Sequence, residues 1–286
     1  MIFIIISLTI LNKRRRTMKK SITVFTLILC ILALFVSCKK QKDSSKFVIG
    51  ATPSPHAEML ELVKDEMSKQ GYALEIKEFT DYVTPNEALE SGEIDANFFQ
   101  HLPYMNSFNR DRGFHLVNAG AIHIEPLALY SKQFGSLDAF KQSKSIKTIA
   151  IPNDPTNEGR ALLLLESAGL ITLNDPSALE ATPKDIKDNP FGLKFREIEA
   201  ATLPRILSDV DGAVINGNYA IPAGLLATRD GLYVEGADSP YVNIITVKSG
   251  RENEAVVKAL VKALKSDNVK KYIQDTYPNG EVVLVN

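Results

Sequence analysis

Cysteine is almost absent from this sequence. Cys30 and Cys38 are the only two in 286 residues, and both lie near the N-terminus. The rest of the chain therefore has no disulfide, no thiolate metal site and no cysteine nucleophile. Histidine is sparse too, and His56, His115 and His123 show no metal-ligand spacing with one another or with cysteine. There is no GxSxG elbow, no Walker loop and no HExxH helix. The paired carboxylates Glu58 and Glu61 fall on a helix face where solvation explains them. These absences remove the common hydrolase, nucleotide and zinc chemistries, so neither a catalytic residue nor a cofactor nor a metal is expected. A basic surplus is missing as well. Setting aside the six basic residues before Cys38 leaves 27 Lys and Arg against 34 Asp and Glu, a net charge near −7. An acidic body does not suit nucleic acid, whose phosphates demand a basic surface.

The N-terminus carries what the body lacks. Lys13-Arg14-Arg15-Arg16 and Lys19-Lys20 precede an almost wholly apolar run, Ser21 to Ser37, which ends at Cys38. Charged region, apolar region, small residue and cysteine is the layout of a secretory signal. The stretch Val24 to Val36 is shorter than the ~20 residues a spanning helix needs. Met18, immediately before Lys19-Lys20, is the expected start, with residues 1–17 an upstream extension. Leu34-Phe35-Val36-Ser37-Cys38 resembles a bacterial lipobox, with Phe35 where leucine is usual. Cleavage would leave Cys38 as a lipidated N-terminus; the alternative is an uncleaved apolar anchor. Either places the body outside the cytoplasmic membrane, facing the periplasm or exterior. Residues 38–46 are polar and read as a flexible tether.

The body alternates short apolar runs with amphipathic stretches. Strands are expected at Phe47–Ala51, Leu74–Ile76, Asp95–Phe99, His115–Ile124, Lys147–Pro152, Leu193–Ile198, Gly212–Ile215 and Val242–Val247. Helices are expected around Leu60–Met67, Pro85–Ser91, Leu102–Arg112, Glu158–Ala168, Leu203–Ser208, Glu254–Leu264 and Val269–Tyr277. Repeated β-α-β units make this an α/β protein with mostly parallel strands. Open sheets of this kind bind ligands beyond the carboxyl ends of their strands. From Cys38 onward there are 249 residues, enough for one large core or two smaller ones.

Polar and aromatic residues gather where strands end. The clusters are Thr80–Asn86, Asn97–Tyr104, Pro152–Arg160 and Asn216–Tyr219, and the first three lie in the motifs TDYVTPN (Thr80–Asn86), DANFFQHLPY (Asp95–Tyr104) and IPNDPTNEGRALLLL (Ile151–Leu165). Arg160 falls in the first turn of the expected helix, where a guanidinium beside amide donors can grip a carboxylate through two parallel bonds. A surface pairing with Glu158 or Glu166 is the plain alternative. Asn157, Asn216, Asn218 and Asn243 offer amide oxygens to an ammonium, though asparagine after a strand also simply makes turns. Tyr82, Phe99, His101 and Tyr104 can line an apolar pocket, or pack a core. Alternation sends Phe98 and Phe99 to opposite faces, and Phe98 reads as core.

Together with Asp238–Asn243 (DSPYVN), these motifs closely resemble the methionine-binding lipoproteins of methionine ABC importers, the NLPA lipoprotein family. The resemblance runs from about Val48 to the final helix. It implies a two-lobed periplasmic-binding-protein (venus flytrap) fold, each lobe a mostly parallel sheet flanked by helices. One lobe would hold 46–125 plus 236–286, and the other 126–235, with two chain crossings as a hinge. It implies that L-methionine is captured between the lobes and delivered to the membrane subunits of an importer. Arg160 would take the carboxylate. Asn157, Asn218 and Asn243, with Asn216 close behind, would take the ammonium, and Tyr82, Phe99, His101 and Tyr104 would line the side-chain pocket. Alternatives are the same fold carrying another small ligand, such as a methionine-containing dipeptide, or an exported amino-acid or peptide enzyme.

Overall fold

A computed structural model describes residues 46–236 and 239–285. The signal, Cys38 and the tether up to residue 45 lie outside the described residues. Among those described, no helix is long and apolar enough to cross a membrane.

The strands, in chain order, are β1 (Lys46–Ala51), β2 (Ala73–Glu78), β3 (Ala96–His101), β4 (Leu116–Ile124), β5 (Ala128–Tyr130), β6 (Thr148–Pro152), β7 (Thr172–Leu173), β8 (Ile186–Asp188), β9 (Lys194–Ile198), β10 (Gly212–Ile215), β11 (Gly231–Val234), β12 (Asn243–Lys248) and β13 (Val283–Leu284). They form two main sheets. The first runs β13-β4-β12-β3-β1-β2 and the second β11-β5-β10-β6-β9. β7 and β8 make a small separate ladder. All strands of the first sheet fall within 46–125 or 236–286, and all strands of the second within 126–235.

Continuous apolar strands are covered on both faces, as such strands must be. In β1, Phe47, Ile49 and Ala51 point into a core with the helices Glu58–Lys69, Ala255–Leu264 and Asp267–Thr276. Val48 turns the other way, towards Leu89 and Met105 of the helices Thr84–Ser91 and Leu102–Arg112. The second sheet repeats the scheme. Leu129, Ile149, Ile151 and Val214 meet Leu162 and Leu165 of the helix Pro155–Ser167. Ala128, Tyr130, Ala150 and Ala213 face Leu203, Leu207 and Ala220.

The strand directions correct one expectation. The sheets are mixed rather than mostly parallel. β1 pairs in parallel with β2 and β3, and β6 with β9 and β10. β12 lies antiparallel between β3 and β4, and β5 antiparallel between β10 and β11. The cause is the chain path. β4 leads directly into β5 and β11 returns through residues 235–242 to β12, so each sheet gains strands that arrive from the other rather than through a helical crossover.

Candidate functional site

The carboxyl ends of β3, β6 and β10 and the first residue of antiparallel β12 converge on one edge. There they line a partly open pocket. All nine residues singled out from the sequence line it: Tyr82, Phe99, His101, Tyr104, Asn157, Arg160, Asn216, Asn218 and Asn243. Gln100, Glu125 and Gly217 complete the lining.

Local structure sets each side chain. His101 caps the helix Leu102–Arg112: its Nδ1 accepts from the Tyr104 backbone N–H at 3.1 Å. The proton therefore sits on Nε2, which donates to Asn157 Oδ1 at 3.2 Å. Burial, and then the Arg160 charge, push the His101 pKa down to about 3. Asn157 is the third residue of the helix Pro155–Ser167, whose cap, Asp154, accepts both the Asn157 backbone N–H at 3.0 Å and its Nδ2 at 2.9 Å. That double hold turns Oδ1 to the cavity, where it also accepts from Asn216 Nδ2 at 2.8 Å. Asn218 Oδ1 accepts from the Tyr82 hydroxyl at 2.5 Å, and Asn243 Oδ1 from His56 Nε2 at 3.1 Å. The amide oxygens of Asn157, Asn218 and Asn243 are thus already engaged. Asn216 Oδ1 and Asn218 Nδ2 are buried without partners among the described residues.

One side of the cavity is aromatic. Tyr82 lies 5.9 Å from both Phe99 and Tyr104, ring centre to ring centre, and the Tyr104 hydroxyl donates to the Tyr82 carbonyl at 2.8 Å. Phe98 points the other way, into the core beside the helix Glu58–Lys69, with its ring 4.6 Å from that of His56. Below β3, Asn86, Asn97 and Gln100 bond mainly to one another, a closed buried network that fixes the strand end.

Arg160 departs from expectation in two ways. The helix begins at Pro155, so Arg160 is its sixth residue, in the second turn, and Asp154 occupies the N-terminus. Its guanidinium is also already partnered. Nε donates to Glu235 Oε1 at 2.9 Å, Nη2 donates to the other Glu235 oxygen and, at 2.9 Å, to the Glu125 carbonyl. The Tyr241 ring lies 4.4 Å away, a cation–π distance. Neither Glu158 nor Glu166 is the partner. The Nε edge of the fork is therefore spent on Glu235, and Nη2 is shared between Glu235 and the Glu125 carbonyl. Beyond this pair lies an open groove lined by Leu163, Tyr233 and Tyr241.

The histidines also regroup. His115 is exposed, but His56, His123 and Glu125 are buried with their ligand-capable atoms within 4.8 Å of one another. Sequence spacing hid this group, because its members sit before the first long helix and at the end of β4.

Two doubly covered sheets with a pocket at their shared edge, polar on one side and aromatic on the other, fit a two-lobed periplasmic-type substrate-binding fold. The chain belongs to the NlpA lipoprotein family, whose model matches residues 47–285. It is 41% identical over 254 residues to the D-methionine-binding lipoprotein MetQ of Escherichia coli K12, covering 88% of this chain and 93% of that one. Among solved structures it is similar to lipoprotein Tp32 from Treponema pallidum, at 46% identity, TM-score 0.80, covering 84% of this chain and 99% of that one. It is likewise similar to a nutrient-binding protein from Burkholderia cenocepacia bound to methionine, at 43% identity, TM-score 0.80, covering 84% of this chain and all of that one.

Proposed function

We propose that this protein captures methionine in the cavity between its two sheets and delivers it to an ABC importer, held at the membrane by lipid on Cys38. The observation that carries the reading is the convergence of the nine residues on one pocket. A guanidinium at one end suits a carboxylate, and unpartnered amide groups suit a zwitterion. The Tyr82–Phe99–Tyr104 cluster suits an unbranched thioether chain, since sulfur against aromatic rings gains about 0.3–1.5 kcal/mol. The names of the relatives support the same ligand. The segments 46–125 with 236–286, and 126–235, act as the two lobes that close on it.

The reading is one of capture rather than catalysis, and the related proteins are named for binding. A methionine-containing dipeptide is disfavoured, because its second residue would have to displace the Arg160–Glu235 pair to reach the outer groove. The test is mass analysis of ligand retained by the purified protein, with calorimetric titration of L- and D-methionine. Intact methionine retained, or saturable tight binding of either enantiomer, is expected. A retained dipeptide, or turnover of added peptides, refutes the proposal.

A further inference from the structure

Glu125 is the residue at which the chain leaves the first sheet, between β4 and β5. Its side chain is 5% exposed and borders the cavity. Two N–H groups donate to its carboxylate: His123 Nε2 to Oε1 at 2.8 Å, and the Asn218 backbone N–H. His56 Nε2 stands 3.4 Å from Oε1, with its proton directed to Asn243 Oδ1. Neither imidazole brings charge. His56 Nδ1 accepts from the Thr52 hydroxyl at 2.8 Å, so its proton is on Nε2. His123 Nδ1 has no partner among the described residues, so that ring too carries its proton on Nε2.

Burial raises the Glu125 pKa, and its donors and the Arg160 charge offset that only in part. Arg160 bonds the Glu125 backbone carbonyl and gives its charge to the Glu235 carboxylate. A buried charge without a counter-charge is costly. On the same wall, Asn216 Oδ1 is a buried acceptor with no partner.

We propose that the Glu125 carboxylate, with the free amide oxygen of Asn216, is the seat for the α-ammonium group of the bound amino acid. This rests on reading the cavity as an amino-acid site. It adds Glu125 to Asn157, Asn218 and Asn243 as partners of the ammonium and gives Glu125, the one carboxylate among them, the charge-bearing contact. The geometry agrees with the ligand's chemistry. An α-amino acid carries both charges on one carbon, so their seats must adjoin. Glu125 makes them adjoin: its backbone carbonyl bonds Arg160, and the residue is part of the cavity lining. Gly217 completes the seat: a Cβ there would lie 2.8 Å from Glu125 Oε2, so only glycine lets the backbone close on the carboxylate.

The experiment compares methionine with 4-(methylthio)butanoate, the same molecule without its ammonium, in competition titrations of wild type, Glu125→Gln and Gly217→Ala. Wild type should prefer methionine by more than about 30-fold, and Glu125→Gln should lose at least about 30-fold for methionine but under threefold for the des-amino acid. Gly217→Ala should shift the same ratio in the same direction. Equal losses for both ligands would reduce Glu125 to wall support and overturn the proposal. So would wild type binding the two ligands within threefold, a result that needs no variant to fold. A chelator that weakens methionine binding by wild type, with Zn²⁺ restoring it, would give the three side chains to a metal and overturn it too. Failure of wild type to bind methionine at all would refute the functional reading first, and this inference with it.

Discussion

Replacing Arg160 by alanine tests the map of the cavity, and the structure changes what should be expected. Truncating one partner of a buried charge pair costs about 2–5 kcal/mol of binding. Here the guanidinium already shares its charge with Glu235, so the lower part of that range applies. A loss of about 2–3 kcal/mol corresponds to roughly 30- to 150-fold weaker methionine binding. The ligand-free protein should suffer as well. Arg160 is 4% exposed, and its removal leaves Glu235, 15% exposed, without a cation. Breaking a fully buried pair costs about 3–5 kcal/mol; with Glu235 open to the outer groove, about 2 kcal/mol is expected. For a domain of this size that lowers Tm by about 4–8 °C. Adding Glu235→Gln to Arg160→Ala should restore most of the Tm and none of the affinity, because it removes the stranded charge without supplying a carboxylate partner. Calorimetry and thermal melts of the three proteins decide it. Methionine bound within threefold of wild type by Arg160→Ala, a cost of only about 0.65 kcal/mol, would put the ligand's carboxylate elsewhere.

Other outcomes follow from the same physics. Cys38→Ala should abolish lipid labelling and release the protein from membranes, since the acyl chains supply the affinity; retention after alkaline washing would point to an uncleaved apolar segment. Methionine should shrink the radius of gyration in small-angle scattering, because a ligand that drives closure must favour the closed state; an unchanged radius would mean a preformed pocket. Norleucine should bind within about 1–3 kcal/mol of methionine, as expected of near-isosteres in an apolar pocket, while tight binding of glutamate or lysine would sink the methionine assignment. Burial lowers the pKa of His56 to about 4 and those of His101 and His123 to about 3. Their NMR signals should therefore not titrate between pH 5.5 and 8, and a midpoint inside that range for any of them would contradict the neutral cluster. Because these values lie below the unfolded one, the three rings contribute stability that is present above pH ~6.5 and lost as pH falls towards 4 and 3.

Much of this was legible in the sequence because the signals are local. Buried strands such as Gly212–Ile215 are short apolar runs between turn residues, and the site clusters sit directly after them. β5 and β11 were not legible. They span three and four residues, and they are strands because β5 pairs with β10 and β11, both far from it in the chain. Missing them, and giving β12 the common direction, produced the expectation of mostly parallel sheets. The start of the Arg160 helix was legible and misread: Asp154-Pro155 is a cap followed by proline at the first helical position. Glu125 gave no local signal at all. A single carboxylate after an apolar strand is ordinary, and its meaning comes from His56, Asn216 and Gly217, which only the fold brings near. Glu235 is hidden in the same way, 75 residues from the arginine it holds.

These two acidic residues also tie Arg160 into the fold. Among the described residues, two segments carry the chain between the main sheets: the step from β4 to β5, which begins with Glu125, and the return from β11 to β12, which begins with Glu235 and includes Tyr241. Arg160, from a helix packed on the second sheet, bonds the carbonyl of the first segment and the carboxylate of the second, and faces the Tyr241 ring. Any carboxylate that binds it therefore acts on a group already tied to both connections. The ligand can favour closure only by its difference in affinity for the open and closed arrangements. If methionine binds as proposed, Arg160 can contribute to that difference, because it bonds one connecting segment and pairs with the other.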